Sequence, residues 1–199
     1  GSVLNLFKLT ESIKMIPLRM FVRGLLADQM LMHAFVQIPA SKRHHHSFPG
    51  GLLSHSLEVA LITRQIVQSL SEVSTNEMEV AMVAGLLHDI GKTKTLGMKS
   101  HTNFGRLIDH EQFTLSLLAP HLDKLTQYWV QGSEVLQYLL IWKDSMGICR
   151  FVSGNAIKMA DHLSTSASIR NMAFKDKPDY YSYSSLLAGA KTHYVNRLN

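Results

Sequence analysis

Leu86-Leu87-His88-Asp89-Ile90-Gly91-Lys92 places a histidine–aspartate pair directly after a helical pattern. Upstream, Ser74 and Glu77 have the Ser-x-x-Glu spacing of a capping box, which predicts a helix start. Val80, Val83, Ala84 and Leu87 then recur three or four apart, the period of a helix face turned towards a core. Gly91 reads as the stop. Two ionisable side chains are therefore expected in the last turn of a buried helix. Successive helical residues diverge by about a hundred degrees, so both reach one point only where the backbone leaves the helix.

Two segments far away in the chain carry matching groups. His55 shares a stripe with Val59, Ile62 and Ile66 on a predicted helix from about residue 52 to 70. Asp161 follows apolar Ile157 and Ala160 on a last predicted core helix, about 155–169. Any one of these polar groups could be a hydrogen-bonded core residue, and Asp161 could pair with a lysine or arginine. Several on core-facing stripes need a shared partner, because burying them without one is costly. A divalent cation meets that need, with imidazole nitrogens and carboxylate oxygens as ligands.

Helical periodicity extends over most of the 199 residues, and alternating strand patterns are scarce, which predicts an all-α fold. Residues 4–36 read as two helices, with Pro17 suited to the first turn of the second. A loop over 38–51 contains Pro39, Pro49 and Gly50-Gly51 around Lys42-Arg43-His44-His45-His46. A helix over 106–119 is expected to stop at Pro120, and two shorter ones cover 122–130 and 134–142. The organisation expected is a helical extension over 1–37 packed on the core, a metal-binding domain with its histidine loop over 38–170, and a tail or helix over 171–199.

Composition narrows the setting. With 46% hydrophobic and 18% charged residues the chain is ordinary for a globular protein and too apolar for disorder. A net charge of +5, scattered rather than clustered, favours an anionic partner without specifying it. The single cysteine, Cys149, excludes an intrachain disulfide and a thiolate zinc site, and fits a reducing, cytoplasmic compartment. No apolar run approaches the roughly 18–20 residues of a spanning helix, and no secretory leader is evident. Gly1-Ser2 reads as a cloning scar, so the natural chain is expected to extend further.

The spacing His55, then Leu86-Leu87-His88-Asp89-Ile90-Gly91-Lys92, then Ala160-Asp161, resembles the HD superfamily. The resemblance covers roughly residues 52–168. It implies an all-α HD-domain helical bundle around a metal site, with His55, His88, Asp89 and Asp161 as ligands, and hydrolysis of phosphomonoesters or phosphodiesters with one or two divalent ions. Iron, manganese, nickel, cobalt and zinc all suit such ligands. His110 falls where the first of the additional histidines of two-metal members is expected. The later paired histidines are missing: the region reads Leu140-Ile141-Trp142-Lys143-Asp144. That departure counts against a full two-metal set. His121, after Pro120, reads as a surface loop histidine.

A narrower resemblance lies upstream. His44-His45-His46-Ser47-Phe48-Pro49-Gly50-Gly51-Leu52-Leu53-Ser54-His55 is similar to the triple-histidine segment of MOBH conjugative relaxases, the TraI type. Ala160-Asp161-His162-Leu163-Ser164 is similar to their Ala-Asp-x-x-Ser segment, and YhaM-type exoribonucleases share a related arrangement. Loop histidines titrate near neutral pH and could ligate a second metal, bond phosphate oxygens or protonate a leaving group. Asp89, Lys92, His46 and His45 are therefore the expected catalytic residues, and His44, His45, His46 and Lys92 the expected substrate contacts. Lys92 would neutralise phosphoryl charge.

The activity expected is metal-dependent phosphodiester hydrolysis on nucleic acid, relaxase-like, in DNA transfer or processing. Its partners would be DNA or another phosphoester substrate, and other conjugation proteins or domains. Two alternatives stay open: a small-molecule nucleotide phosphohydrolase, and a non-catalytic binding module that retains the metal. No serine, cysteine or threonine constellation suggests a covalent mechanism, and nothing around Tyr180, Tyr181 and Tyr183 activates a tyrosine nucleophile.

Overall fold

A computed structural model describes residues 1–41, 46–188 and 190–198. The fold is helical apart from one terminal hairpin. Three helices open the chain: α1 (Ser2–Ser12), α2 (Ile16–Ala27) and α3 (Gln29–Gln37). Where the sequence pattern suggested two helices, Asp28 divides the second. Its side chain accepts the Leu31 backbone N–H at 3.1 Å and caps α3. Pro17 sits in the first turn of α2, where no backbone N–H is needed.

The centre of the molecule is α5 (Thr75–Leu87), buried at every residue from Met78 to Leu87. A helix that is apolar all round must be surrounded. Here α4 (Gly51–Gln68), α9 (Val130–Ile141) and α10 (Val152–Phe174) pack against it. Ser74 accepts the Glu77 N–H at 3.1 Å, as the capping pattern predicts. The Glu77 carboxylate instead accepts the Ser153 hydroxyl at 2.8 Å, tying the start of α5 to α10.

Beyond α5 the chain turns into two short helices, α6 (Lys92–Thr95) and α7 (Asn103–Leu107), and a 3-10 turn at His110–Phe113. Gly91 is not a left-handed stop: its φ is −59°. A side chain there would strike the His110 carbonyl at 1.9 Å, so glycine is required by close approach.

Helix α8 (Thr114–Tyr128) corrects the expected stop at Pro120, which lies inside it. Proline removes one backbone bond. Pro120 and Ser116, whose carbonyl loses its partner, both face solvent, while Leu118, Leu122 and Leu125 on the same helix are buried. The freed carbonyl therefore lies on the solvent side of the helix, and packing of the buried leucines holds the helix through. Helix α10 runs past the expected end near 169 to Phe174, crossing the boundary placed at 170/171.

The last segment forms an antiparallel hairpin, β1 (Tyr183–Ala188) with β2 (Lys191–Asn196), where a tail or helix was expected. Ser184 and Ala188 are buried and Leu186 half-buried, while the residues between are exposed, the two-residue period of a strand. Ser184 donates to the Ala173 carbonyl at 2.6 Å, docking the hairpin on α10. Among the described residues no helix is long and apolar enough to cross a membrane.

Candidate metal centre

Three segments converge at the C-terminus of α5. His55 comes from α4, His88 and Asp89 from the turn that ends α5, and Asp161 from α10. One ring nitrogen each of His55 and His88 and a carboxylate oxygen of Asp89 lie within 4.8 Å of one another. Asp161 Oδ1 is 3.1 Å from His55 Nε2 and 3.7 Å from His88 Nε2. Asp89 Oδ2 is 3.4 Å from His88 Nε2 and 3.7 Å from His55 Nε2. His55 is wholly buried and Asp89 is 7% exposed. The four predicted ligands thus meet.

The outer contacts orient both rings. His88 Nδ1–H donates to the Gly85 carbonyl at 2.7 Å, so Nε2 carries the lone pair of the neutral ring. Ser164 donates its hydroxyl to Glu58 Oε2 at 2.6 Å and therefore accepts from His55 Nδ1–H at 2.9 Å. His55 Nε2 is likewise the lone-pair nitrogen. Carboxylate, hydroxyl and imidazole form the relay that commonly fixes a metal-binding histidine. Ser164 was visible in the sequence as part of the Ala-Asp-x-x-Ser segment. Glu58 was not singled out, since a glutamate three residues beyond His55 has no distinctive spacing.

Ring lone pairs facing carboxylate oxygens repel unless a cation stands between them. His88 Nε2 is buried and makes no hydrogen bond of good geometry among the described residues. Burial lowers the His88 pKa, but the Asp89 charge and Asp161 outweigh it, and the net direction is up. Burial works to raise both carboxyls. The His88 and Lys92 charges and the His110 bond nonetheless hold Asp89 well below the ordinary range. The adjoining His55 and His88 rings do the same for Asp161. A set of two nitrogens and two carboxylates, anionic and lacking sulfur, fits a divalent cation. The negative end of the α5 dipole points the same way.

The remaining expected site residues fall into three groups. Lys92 Nζ reaches Asp89 Oδ2 at 2.6 Å, and His110 Nε2–H donates to the other oxygen, Oδ1, at 3.1 Å. Both border a cavity of about 370 Å3 that is also lined by His88, Asp89, Lys158 and Asp161. His46 lies apart from it. Its ring is 5.3 Å from that of His55, its Nε2 is 3.4 Å from Glu58 Oε2, and with Glu58 it lines a different cavity, of about 900 Å3. Burial and the neighbouring His55 lower the His46 pKa against the pull of Glu58. His44 and His45 lie outside the described residues. His121 is on α8, not in a loop, and its Nε2 faces Asp28 Oδ2 at 3.3 Å.

Two glycines seat the histidine-bearing segments. A side chain at Gly91 would meet the His110 carbonyl, and one at Gly51 would meet the His46 carbonyl, each at 1.9 Å. His46 itself has φ 47°, a left-handed conformation unusual for histidine. The wall formed by Leu140, Ile141, Trp142 and Lys143 borders the first cavity with no histidine, and Lys143 pairs there with Glu111.

Residues 52–147 match the family model of the HD domain. The chain is 27% identical over 120 residues to the 3'-5' exoribonuclease YhaM of Halalkalibacterium halodurans, covering 57% of this chain and 35% of that protein. It is 26% identical over 113 residues to the proteins of the same name from Shouchella clausii and Bacillus subtilis, covering 54% of this chain and 34% of each. The chain thus spans about a third of the length of these relatives. No solved structure matches it. The HD match ends before Asp161, which the fold supplies from α10. Family match, distant relatives and converging His55, His88, Asp89 and Asp161 together support the HD phosphohydrolase superfamily.

Proposed function

We propose that this chain is a metal-dependent phosphodiester hydrolase domain acting on nucleic acid. The observation that carries it is the pairing of two oriented histidine lone pairs with two carboxylates, Asp89 buried and Asp161 partly exposed, beside a cavity. Similarity to proteins named 3'-5' exoribonuclease supports a nucleic-acid substrate. In this reading His55, His88, Asp89 and Asp161 hold a divalent ion of the iron, manganese, nickel, cobalt or zinc kind. Such an ion, when bound, lowers the pKa of water and polarises a phosphoryl oxygen.

The chain's own groups do the rest. Asp89 presents its two oxygens to different partners, Oδ2 towards the histidine rings and Lys92, and Oδ1 towards His110. Should a second ion bind, Asp89 and His110 are the residues that would hold it. Lys92 stands at the cavity wall, where its ammonium offsets charge on a bound phosphate. His46 faces Glu58, the end of the relay to His55, and acts on that ligand rather than on phosphate. Roles for His44 and His45 as phosphate contacts rest on the sequence resemblance.

A relaxase-like role in DNA transfer or processing is the narrower form of this proposal, supported by the resemblance of residues 44–55 and 160–164 to MOBH relaxases. Elemental analysis of the protein, followed by assay of the metal-loaded form on labelled single-stranded RNA, single-stranded DNA and a small phosphodiester, tests both. Metal near stoichiometric amounts with strand cleavage supports hydrolysis, and a strong preference for DNA supports the relaxase form. Protein that remains inactive on all three substrates after metal reconstitution sinks the proposal.

A further inference from the structure

The candidate metal centre opens on one cavity, and a second adjoins it. Beside the one of about 370 Å3 lies another of about 740 Å3, whose wall includes Lys92, Lys99, His101, Arg106, Asp109 and His110. Lys92 and His110 line both, so the cavities adjoin at the two side chains that contact Asp89. Each is of the size that holds a nucleotide-scale ligand, roughly 300–1,000 Å3.

Their charges differ. The smaller cavity balances Lys92, Lys143 and Lys158 against Asp89, Glu111 and Asp161. In the larger one Asp109 is the single carboxylate among the described residues, against Lys92, Lys99 and Arg106. Lys92 is already paired with Asp89, whereas Lys99 and Arg106 are exposed and form no ion pair among the described residues. Two uncommitted cations in a concave wall concentrate positive potential where an anion would enter. Arginine adds a planar fork that matches two phosphate oxygens.

A phosphomonoester needs room on one side of its phosphorus. A phosphodiester inside a strand carries a substituent on each side, with another phosphate beyond it. The geometry points to a track for single-stranded nucleic acid that crosses Asp89 from one cavity into the other, with Lys99 and Arg106 holding the phosphates next to the scissile one. This rests on the phosphodiesterase reading and adds to it a direction and a substrate form.

The test compares wild type with the Lys99→Gln/Arg106→Gln double variant in two measurements. The first is fluorescence anisotropy with a short single-stranded oligonucleotide over a salt series, with a nucleoside monophosphate as competitor. The second is the ratio of kcat/KM on the oligonucleotide to that on a small phosphodiester, with metal present. Both side chains are exposed, and circular dichroism melts check that the variant folds. The expected result is roughly tenfold weaker oligonucleotide binding, with a log–log salt slope smaller by about 1.4 for two lost phosphate contacts. The kcat/KM ratio should fall by a similar factor. An unchanged slope and ratio overturn the track. So does an equal loss for the monophosphate, which would make the larger cavity a mononucleotide chamber. If wild type turns over neither ester, the hydrolase reading fails, while the salt slopes still decide whether the track exists.

Discussion

Helix α5 has a buried carboxylate near each end, and the two are treated in opposite ways. Glu79, in the first half of the helix and 3% exposed, accepts the backbone N–H groups of Lys14 and Met15 at 2.7 and 2.9 Å. Both oxygens are used, and the carboxylate pins the connection between α1 and α2 onto the core. Asp89, just past the other end and 7% exposed, accepts from the Lys92 and His110 side chains and also faces the His55 and His88 nitrogens, whose ring protons are committed elsewhere. Backbone donors consume the first carboxylate. The second sits among groups that need a cation as much as it does. Burial alone therefore does not mark a functional acid; the lone pairs around it do.

The comparison breaks most visibly at Asp89. Asp89→Ala should remove bound metal and reduce phosphodiester hydrolysis by about a thousandfold or more, the equivalent of the several kcal/mol a metal supplies to the transition state. Elemental analysis and single-turnover assays check this, and full metal retention would count against the centre. Glu79→Ala should leave metal stoichiometry intact and cost about 2 kcal/mol of folding stability, since it removes the charged acceptor of two part-buried backbone hydrogen bonds. Denaturant unfolding reads that loss. A variant that loses its metal before it unfolds would erase the distinction between the two carboxylates.

Ser164→Ala sharpens the comparison by acting through a ligand. Removing the hydroxyl that accepts from His55 Nδ1–H frees the ring to rotate or change tautomer. Metal affinity measured by calorimetry should fall about 10–100-fold with little change in helicity. An affinity equal to wild type would show that packing alone holds His55.

The smallest effect belongs to Asp28, a carboxylate that is neither deeply buried nor part of a metal set. The Leu31 N–H and His121 hold its pKa below the ordinary value. A depressed folded-state pKa contributes stability above the unfolded value of about 3.9 and loses it as pH falls through the folded value. Asp28→Asn keeps a capping oxygen without the charge. The difference in melting temperature between wild type and variant should therefore shrink on going from neutral pH to below the unfolded pKa. A difference that stays constant through that range would assign the whole effect to the cap.

Much of this architecture is legible in the linear chain because it depends on local rules. The Ser74 cap, the apolar run through Val80, Val83 and Leu87, and the stripe carrying His55 all follow from helical period and capping chemistry. Where the local signals misled, tertiary packing outweighed them. Pro120 is tolerated because the freed carbonyl lies on the solvent side of the helix while Leu118, Leu122 and Leu125 are buried. Gly91 reads as a helix stop but serves as a seat for the His110 carbonyl, a contact across 19 residues that no local pattern encodes.

The proposed ligand set was present in the sequence as residue types at characteristic spacing: His55, His88-Asp89 and Asp161. Sequence alone determined which side chains are available and that most lie on core-facing positions, since burial leaves a periodic trace. Tertiary structure alone decided their orientation, because a hydrogen bond from Nδ1 to Gly85 or to Ser164 depends on what packs beside each ring. It also separated His46 from the cavity that Lys92 and His110 share, and placed Lys99 and Arg106 around a second one. Those placements are set by helix packing between segments distant in the chain, and their physical signal exists only once the core has closed.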